Sequence, residues 1–253
     1  MPIHYLIAVL LLMIVNVGSA QTIRVACSDS VPPFVLPNSD QGIALDVLRA
    51  AMLQKNIRII PIYGSNEQNL ADFISGNVDA ILVAPPDAVT HAYESDQALM
   101  EFHNYAISLT KNDLHIDQIT DLADLTIGAF SLASRILPSA FREVANQAPE
   151  YREFVNQKQQ VLALLTGDVE VIVLEKMLFR YLLTQIRHQD ETLTRQTIRY
   201  HNLFQPTYYH TTFKSQAIAQ AFNEGLSTIQ ANGEYQTIIN TYEQLLNSYL
   251  MTP

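Results

Sequence analysis

"FISGNVDAILVAPP" (residues 73–86) is echoed by "LLTGDVEVIVLEKM" (164–177). Each phrase reads as the end of an apolar helix, a Gly, one polar residue, Val, an acid and then an apolar run. The two glycines, Gly76 and Gly167, stand 91 positions apart. Gly suits the left-handed position that ends a helix, so each phrase marks a helix-to-strand corner. Working outward from the first corner, "TIRVACS" alternates as a strand, "IALDVLRAAMLQ" is a helix with one narrow polar stripe, and "IRIIPIY" is a second strand. The helix "NEQNLADFIS" then leads to a third strand, "VDAILVA". Strand, helix, strand, helix, strand with uniformly apolar strands is a parallel α/β unit covered on both faces. Around the second corner, "LTIGAF" is a strand, a helix lies within 134–146, "NQKQQVLALLT" is a helix and "VEVIVL" a strand, followed by the helix "EKMLFRYLLTQI". "YAISLTKND" reads as a connecting strand, "PTYYHTTF" as a strand returning to the first unit, and the tail as two amphipathic helices separated by Gly233.

The expected architecture is therefore α/β and two-lobed, each lobe a mainly parallel sheet flanked by helices. Lobe 1 comprises residues 21–105 plus 211–253 and lobe 2 residues 106–210, with the chain crossing between them twice. Two lobes on two tethers form a cleft that hinges around a small ligand. Residues 1–20 contain the 11-residue apolar run "YLIAVLLLMIV" and end in "VGSA". That run is short for a bilayer span and reads as a signal peptide cleaved after Ala20. Cys27 is the single cysteine, so no internal disulfide can form. A net charge of −10, with 15 bases against 25 acids and no basic stripe, argues against nucleic acid. No nucleophile motif, phosphate loop or zinc spacing is visible, so no metal, cofactor or catalytic residue is assigned.

The order of "IRVACSDSVPPF", "GIALDVLRAA", "ISGNVDAILVA", "ITDLADLTIGAFSLAS", "LLTGDVEVIVLE" and "YYHTTFKSQAIAQAFNEGLSTIQANGEYQTIINTY" resembles the family 3 periplasmic solute-binding proteins, the amino-acid type of ABC-importer receptor. The resemblance implies a type II periplasmic-binding fold, a monomer, and capture of a small polar organic solute for a membrane permease. It also implies an Arg, shortly after the third strand, that holds the ligand carboxylate. Here that segment is "APPDAVTHAYESD", and no Arg occurs between Arg58 and Arg135. Loss of a bidentate Arg fork costs an amino acid several powers of ten in affinity. His91 and Lys111 are the candidate substitutes, without the planar geometry. Ala84 and Pro85, which open the segment, remain ligand-facing positions by resemblance.

On the opposite wall, Glu175 stands five residues past Glu170, where the family places the acid that takes a ligand ammonium; its other reading is a helix N-cap. Ser134 and Arg135, in "SLASR", fall where the family offers hydroxyls and amides to the ligand carboxylate. Ser134 reads equally as a cap, and Arg135 as a solvated side chain. Ser28 and Val31 replace the family's first-loop acid and aromatic, leaving Asp29, Ser30 and Phe34 nearby. Phe34 is either a core plug or a ligand contact, and Tyr208 and Tyr209 read as strand packing. Two further functions stay open. One is a ligand-sensing accessory protein acting on a membrane sensor; the other is a cyclohexadienyl-dehydratase-like enzyme using Glu175 as general acid.

Overall fold

Asp79 and Glu170 explain why the corner phrase is written twice. The computed structural model describes residues 21–28, 31–84 and 89–251, with side chains described to residue 247; the leader with its cut after Ala20, Asp29, Ser30 and Pro85 lie outside the described residues. In both corners the acid turns back to the adjacent strand. The Arg24 N–H donates to Asp79 Oδ2 (2.7 Å) and the Thr126 N–H to Glu170 Oε2 (2.8 Å). The N–H of each acid in turn donates to the carbonyl of that same residue, at 2.8 and 3.1 Å. Gly76 and Gly167 cap the preceding helices in the left-handed region (φ 86° and 88°), and Val78 and Val169 are buried. Each corner thus ends a helix, plugs the core and braces the start of a neighbouring strand.

The first unit runs β1 (Gln21–Ser28), α1 (Ile43–Leu53), β2 (Ile57–Gly64), α2 (Asn66–Ser75), β3 (Ala80–Ile81) and β4 (Tyr93–Glu94). After β5 (Met100–Phe102), the second runs β6 (Asn104–Leu109), β7 (Thr126–Phe130), α3 (Ala133–Ile136), α4 (Ser139–Gln147), β8 (Glu150–Phe154) and α5 (Gln157–Thr166). It continues through β9 (Val171–Glu175), α6 (Lys176–Arg187), α7 (Glu191–Thr194) and β10 (Ile198–His201). The chain then passes β11 (Thr207–Tyr209) and β12 (Thr212–Phe213) to α8 (Gln216–Ala231) and α9 (Glu234–Met251). The sheet orders are β2-β1-β3-β12-β4 and β8-β7-β9-β6-β10. Position by position these match: three parallel strands in the order second, first, third, then an antiparallel strand, then an edge strand. The two crossing segments pair with each other as the antiparallel ribbon β5-β11, Met100 opposite Tyr209.

Several expectations are refined. The helix within 134–146 is two helices, because Leu137 is extended (ψ 165°) ahead of Pro138, which cannot continue the hydrogen-bond ladder. The connecting strand, β6, is a full member of the second sheet, with Asn104 opposite Glu175. The returning strand is split into β11 and β12. β8, "EYREF", was not anticipated: it pairs with β7 alone and carries edge-strand charges rather than an apolar alternation.

One buried cluster packs around β1, α1, α8 and α9 with Phe213 and Phe222 at its centre, and two more cover the faces of the second sheet. Met177, from the first turn of α6, inserts into the first cluster, and Arg180 of α6 donates to the Glu243 carbonyl (3.3 Å) and to Asn247 Oδ1 of α9. Tyr242 of α9 reaches the start of α1, donating to Asp46 Oδ2 (2.5 Å) and accepting from the Gly42 N–H (2.8 Å). Cys27 is fully buried, and that burial pushes its thiol up to about 12 against the opposing pull of Arg49. A thiolate reagent should therefore leave the native protein unmodified and label one thiol per chain only after denaturation, as read by absorbance of the released chromophore.

Candidate solute-binding site

Parallel strands bring their C-terminal ends to one edge of a sheet, where side chains are free to meet a ligand. In the first unit that edge carries Ser28 at the end of β1 and Ala84 beyond β3; in the second it carries Ser134 and Arg135 beyond β7, and Glu175 at the end of β9. A cavity of about 440 Å³ draws on both units, with Phe34 before α1, Glu101 of β5, His103, Tyr105, Glu175 and Lys176 on its wall. Phe34 and Glu175 are thus brought together. Ser28, Ala84, Ser134 and Arg135 share the strand-end edges but do not line this cavity.

Glu175 is 6% exposed and is the N-cap of α6, its Oε2 accepting from the Leu178 N–H at 2.7 Å. Burial pushes its carboxyl up from 4.5 to about 7, against the amides of α6 and the charge of Lys176. Glu175 thus caps the helix, and it is among the residues that line the cavity. Lys176 lies beside it, with Nζ 6.0 Å from the Tyr105 ring and 5.9 Å from the Tyr200 ring. Its backbone N–H donates to the His103 carbonyl (3.2 Å). The His103 Nε2 lies 3.0 Å from the Phe204 carbonyl and 2.8 Å from Asn202 Oδ1, and its Nδ1 lies 3.3 Å from the Tyr105 hydroxyl. Phe34 is 3% exposed and stacks on Phe102 at 4.3 Å, which in turn meets Tyr209 at 4.6 Å. It is a core plug whose edge forms cavity wall. Tyr209 is packed in that aromatic row, whereas Tyr208 is exposed.

The cavity wall was only partly legible beforehand. Tyr235 and Glu243 come from α9, far along the chain, and their arrival depends on how α9 crosses α1 and α6. With Glu101, Glu175 and Glu243 against Lys176, acids outnumber bases on the wall, which favours a cationic or donor-rich guest.

The substitutes for the missing Arg are displaced by strand polarity. β4 runs alongside β3 through β12, so His91, just before β4, sits at the N-terminal end of the sheet, in a hollow with Phe73 and Lys214. β6 is antiparallel to β9, so Lys111, just past β6, lies beyond the start of β9, at the opposite end from Glu175. Arg49 is committed to Asp46 (2.8 Å) and Asp40 (3.2 Å). Ser134 is occupied too: its N–H and hydroxyl both donate to Glu153 Oε1 of β8, at 3.1 and 2.8 Å. Arg135 is exposed beside it. Among the described residues no group of three His, Cys, Asp or Glu is placed to hold a metal ion.

Solved structures share this fold. The second substrate-binding domain of GlnP from Lactococcus lactis, in its open conformation, superposes with a TM-score of 0.68 at 18% identity, over 89% of this chain and 98% of that one. The chain has the type II periplasmic-binding-protein fold. The type II match extends to the GluR0 ligand-binding core in complex with L-glutamate (TM-score 0.64, 15% identity, 89% and 99% of the two chains). It extends also to the ancestral amino acid-binding protein AncCDT-1, described as a precursor of cyclohexadienyl dehydratase (0.60, 14%, 87% and 94%). No protein-family model matches the sequence, and no curated protein matches it.

Proposed function

We propose that the chain is an exported solute-binding protein that captures a small polar organic solute, cationic or rich in hydrogen-bond donors, between its two units and hands it to an ABC importer. The supporting observation is Glu175: a nearly buried carboxylate at the end of a parallel strand, on a cavity wall shared with Phe34 of the other unit. The amino-acid-binding proteins of the same fold support the solute class in outline. In this reading lobes 21–105 plus 211–253 and 106–210 close about the β5-β11 ribbon, the leader ends at Ala20, and the protein acts as a monomer in the periplasm. Micromolar capture requires about −8.2 kcal/mol, within reach of one charge-assisted bond, a few neutral hydrogen bonds and a stacked ring.

The test is a thermal-shift screen over amino acids, polyamines, small acids and sugars, with recovery of the solute by chromatography. A raised midpoint with unchanged solute supports capture, since a ligand that favours the native state stabilises it by mass action. For the solute so found, Glu175→Ala should weaken binding about 100-fold or more by calorimetry and lower the melting point only by the loss of one cap, about 1 kcal/mol. Unaltered affinity would remove Glu175 from the site. A second reading, a dehydratase-like enzyme, draws on the same carboxyl: held near 7 by burial, it keeps a proton to donate at neutral pH. Conversion of a cyclohexadienyl acid in the screen would favour it. A third partner, a membrane sensor in place of the permease, would show as pull-down of a kinase-type protein only when solute is present.

A further inference from the structure

We infer that the solute of this cavity is a linear aliphatic diamine, its two ammonium groups held by Glu101 and Glu243 at opposite ends of one trough and its methylene chain laid along the apolar wall. The inference rests on the capture reading above for the site and adds the solute class. Tyr235, Ile239 and Glu243 recur every fourth residue of α9, so they fall on one face of that helix, and all three line the cavity. At 1.5 Å per residue the face they span is about 12 Å long, aromatic at one end, aliphatic in the middle and acidic at the other. The other side of the cavity includes Glu101, His103 and Tyr105, which follow one another along the extended chain of β5 and β6. Glu101 belongs to the Tyr235 end: burial first, and the charge of Glu101 second, push the Tyr235 hydroxyl up. Glu243 belongs to the α6 end, since its own carbonyl accepts from Arg180 at 3.3 Å. Much of the remaining wall is apolar, with Phe34, Ile43, Met100 and Met177 beside Ile239.

Neither of these carboxylates is compensated. Among the described residues, Glu101 and Glu243 take part in no side-chain ion pair. Lys176, the one lysine or arginine on the wall, is drawn instead onto the Tyr105 and Tyr200 rings, 6.0 and 5.9 Å from their centroids. Two separated acids on an apolar wall attract one cation each and reward the burial of methylenes between the charges. A monoamine satisfies one acid and leaves the other unpaired. An α-amino acid would set its carboxylate beside one of them, which like-charge repulsion disfavours.

The experiment is calorimetry of wild type, Glu101→Gln and Glu243→Gln with putrescine, cadaverine and hexamethylenediamine, each set against the monoamine of equal carbon number. Wild type should bind at least one diamine about ten-fold or more tighter than its monoamine, because the second charge finds a carboxylate of its own. Each Gln variant should lose that gain and bind the diamine and its monoamine within about three-fold of one another. Neither glutamate is a buried residue, so both variants should melt within about 2 °C of wild type. A variant that melts far lower shows its carboxylate to be structural and counts against the inference, as does a diamine gain that survives either substitution. Wild type that binds diamine and monoamine alike overturns the inference. Wild type that binds no amine while the broad screen yields another solute overturns the diamine class and leaves capture standing. If no solute of any class is bound, the capture reading falls and the diamine falls with it.

Discussion

Gly225→Ala should lower the melting temperature by about 5–15 °C, corresponding to about 2–4 kcal/mol in a chain of this size. Gly225 lies on the buried face of α8 where that helix crosses α1, and a Cβ there would overlap the Ala51 carbonyl oxygen and stand 2.8 Å from its carbon. The obstacle is backbone, so no rotamer change relieves it and the two helices must separate. Separation would loosen Ala51, Phe222, Leu226 and Ile229 in the same buried cluster. Ala is the better helix former by about 1 kcal/mol, so the observed loss is net of that gain. Thermal unfolding followed by circular dichroism measures it; a midpoint equal to or above that of wild type would show that the helices do not approach as closely as described.

The second large effect is on pH dependence. Because burial raises the folded-state pKa of Glu175 to about 7 from its ordinary 4.5, the native protein holds a proton between those values that the unfolded chain has released. Stability contributed by this group is therefore whole below pH 4.5 and is lost as pH rises through 7, by about 3 kcal/mol in total. Glu175→Gln should remove that loss while keeping an oxygen to accept from the Leu178 N–H. The melting-temperature difference between variant and wild type should be small at pH 4.5 and widen in favour of Gln up to about 7. A difference constant across that range would show that the carboxyl is not held protonated. His201 works in the opposite direction. Its ring, between the Ser108 hydroxyl (2.9 Å) and the Ile116 carbonyl (3.1 Å), is held neutral chiefly by burial, so its contribution is present above 6.5 and lost as pH falls. Comparing the two proteins at each pH cancels that common slope.

Strands β7 and β9 were readable because both their faces are buried, so they appear as apolar runs, whereas β1 shows as an alternation and β2, at the edge of its sheet with Ile60 and Ile62 exposed, shows by its isoleucines. β8 was not readable, since its charges read as loop. The break at Leu137-Pro138 was signalled by the proline, although its consequence, two helices in place of one, required the backbone path. At the cavity, Glu175 could be singled out because the family resemblance places an acid five residues past Glu170, and Phe34 because it lies beside the first loop that the resemblance marks. Lys176, Tyr105 and the α9 residues could not, because their arrival depends on packing between distant segments.

Chain order, apolar periodicity and the doubled glycine corner by themselves determined that this protein is two matched α/β units crossed twice, because those signals depend on local hydrogen bonding and burial. Tertiary structure alone decided which charges meet at the cavity. Strand polarity carried His91 and Lys111 to the ends of their sheets opposite the strand-end edge that bears Glu175, and parallel pairing of β8 with β7 delivered Glu153 to the amides of Leu132 and Ser134. A side chain's neighbours across a sheet are set by register, and register is not written in any one segment.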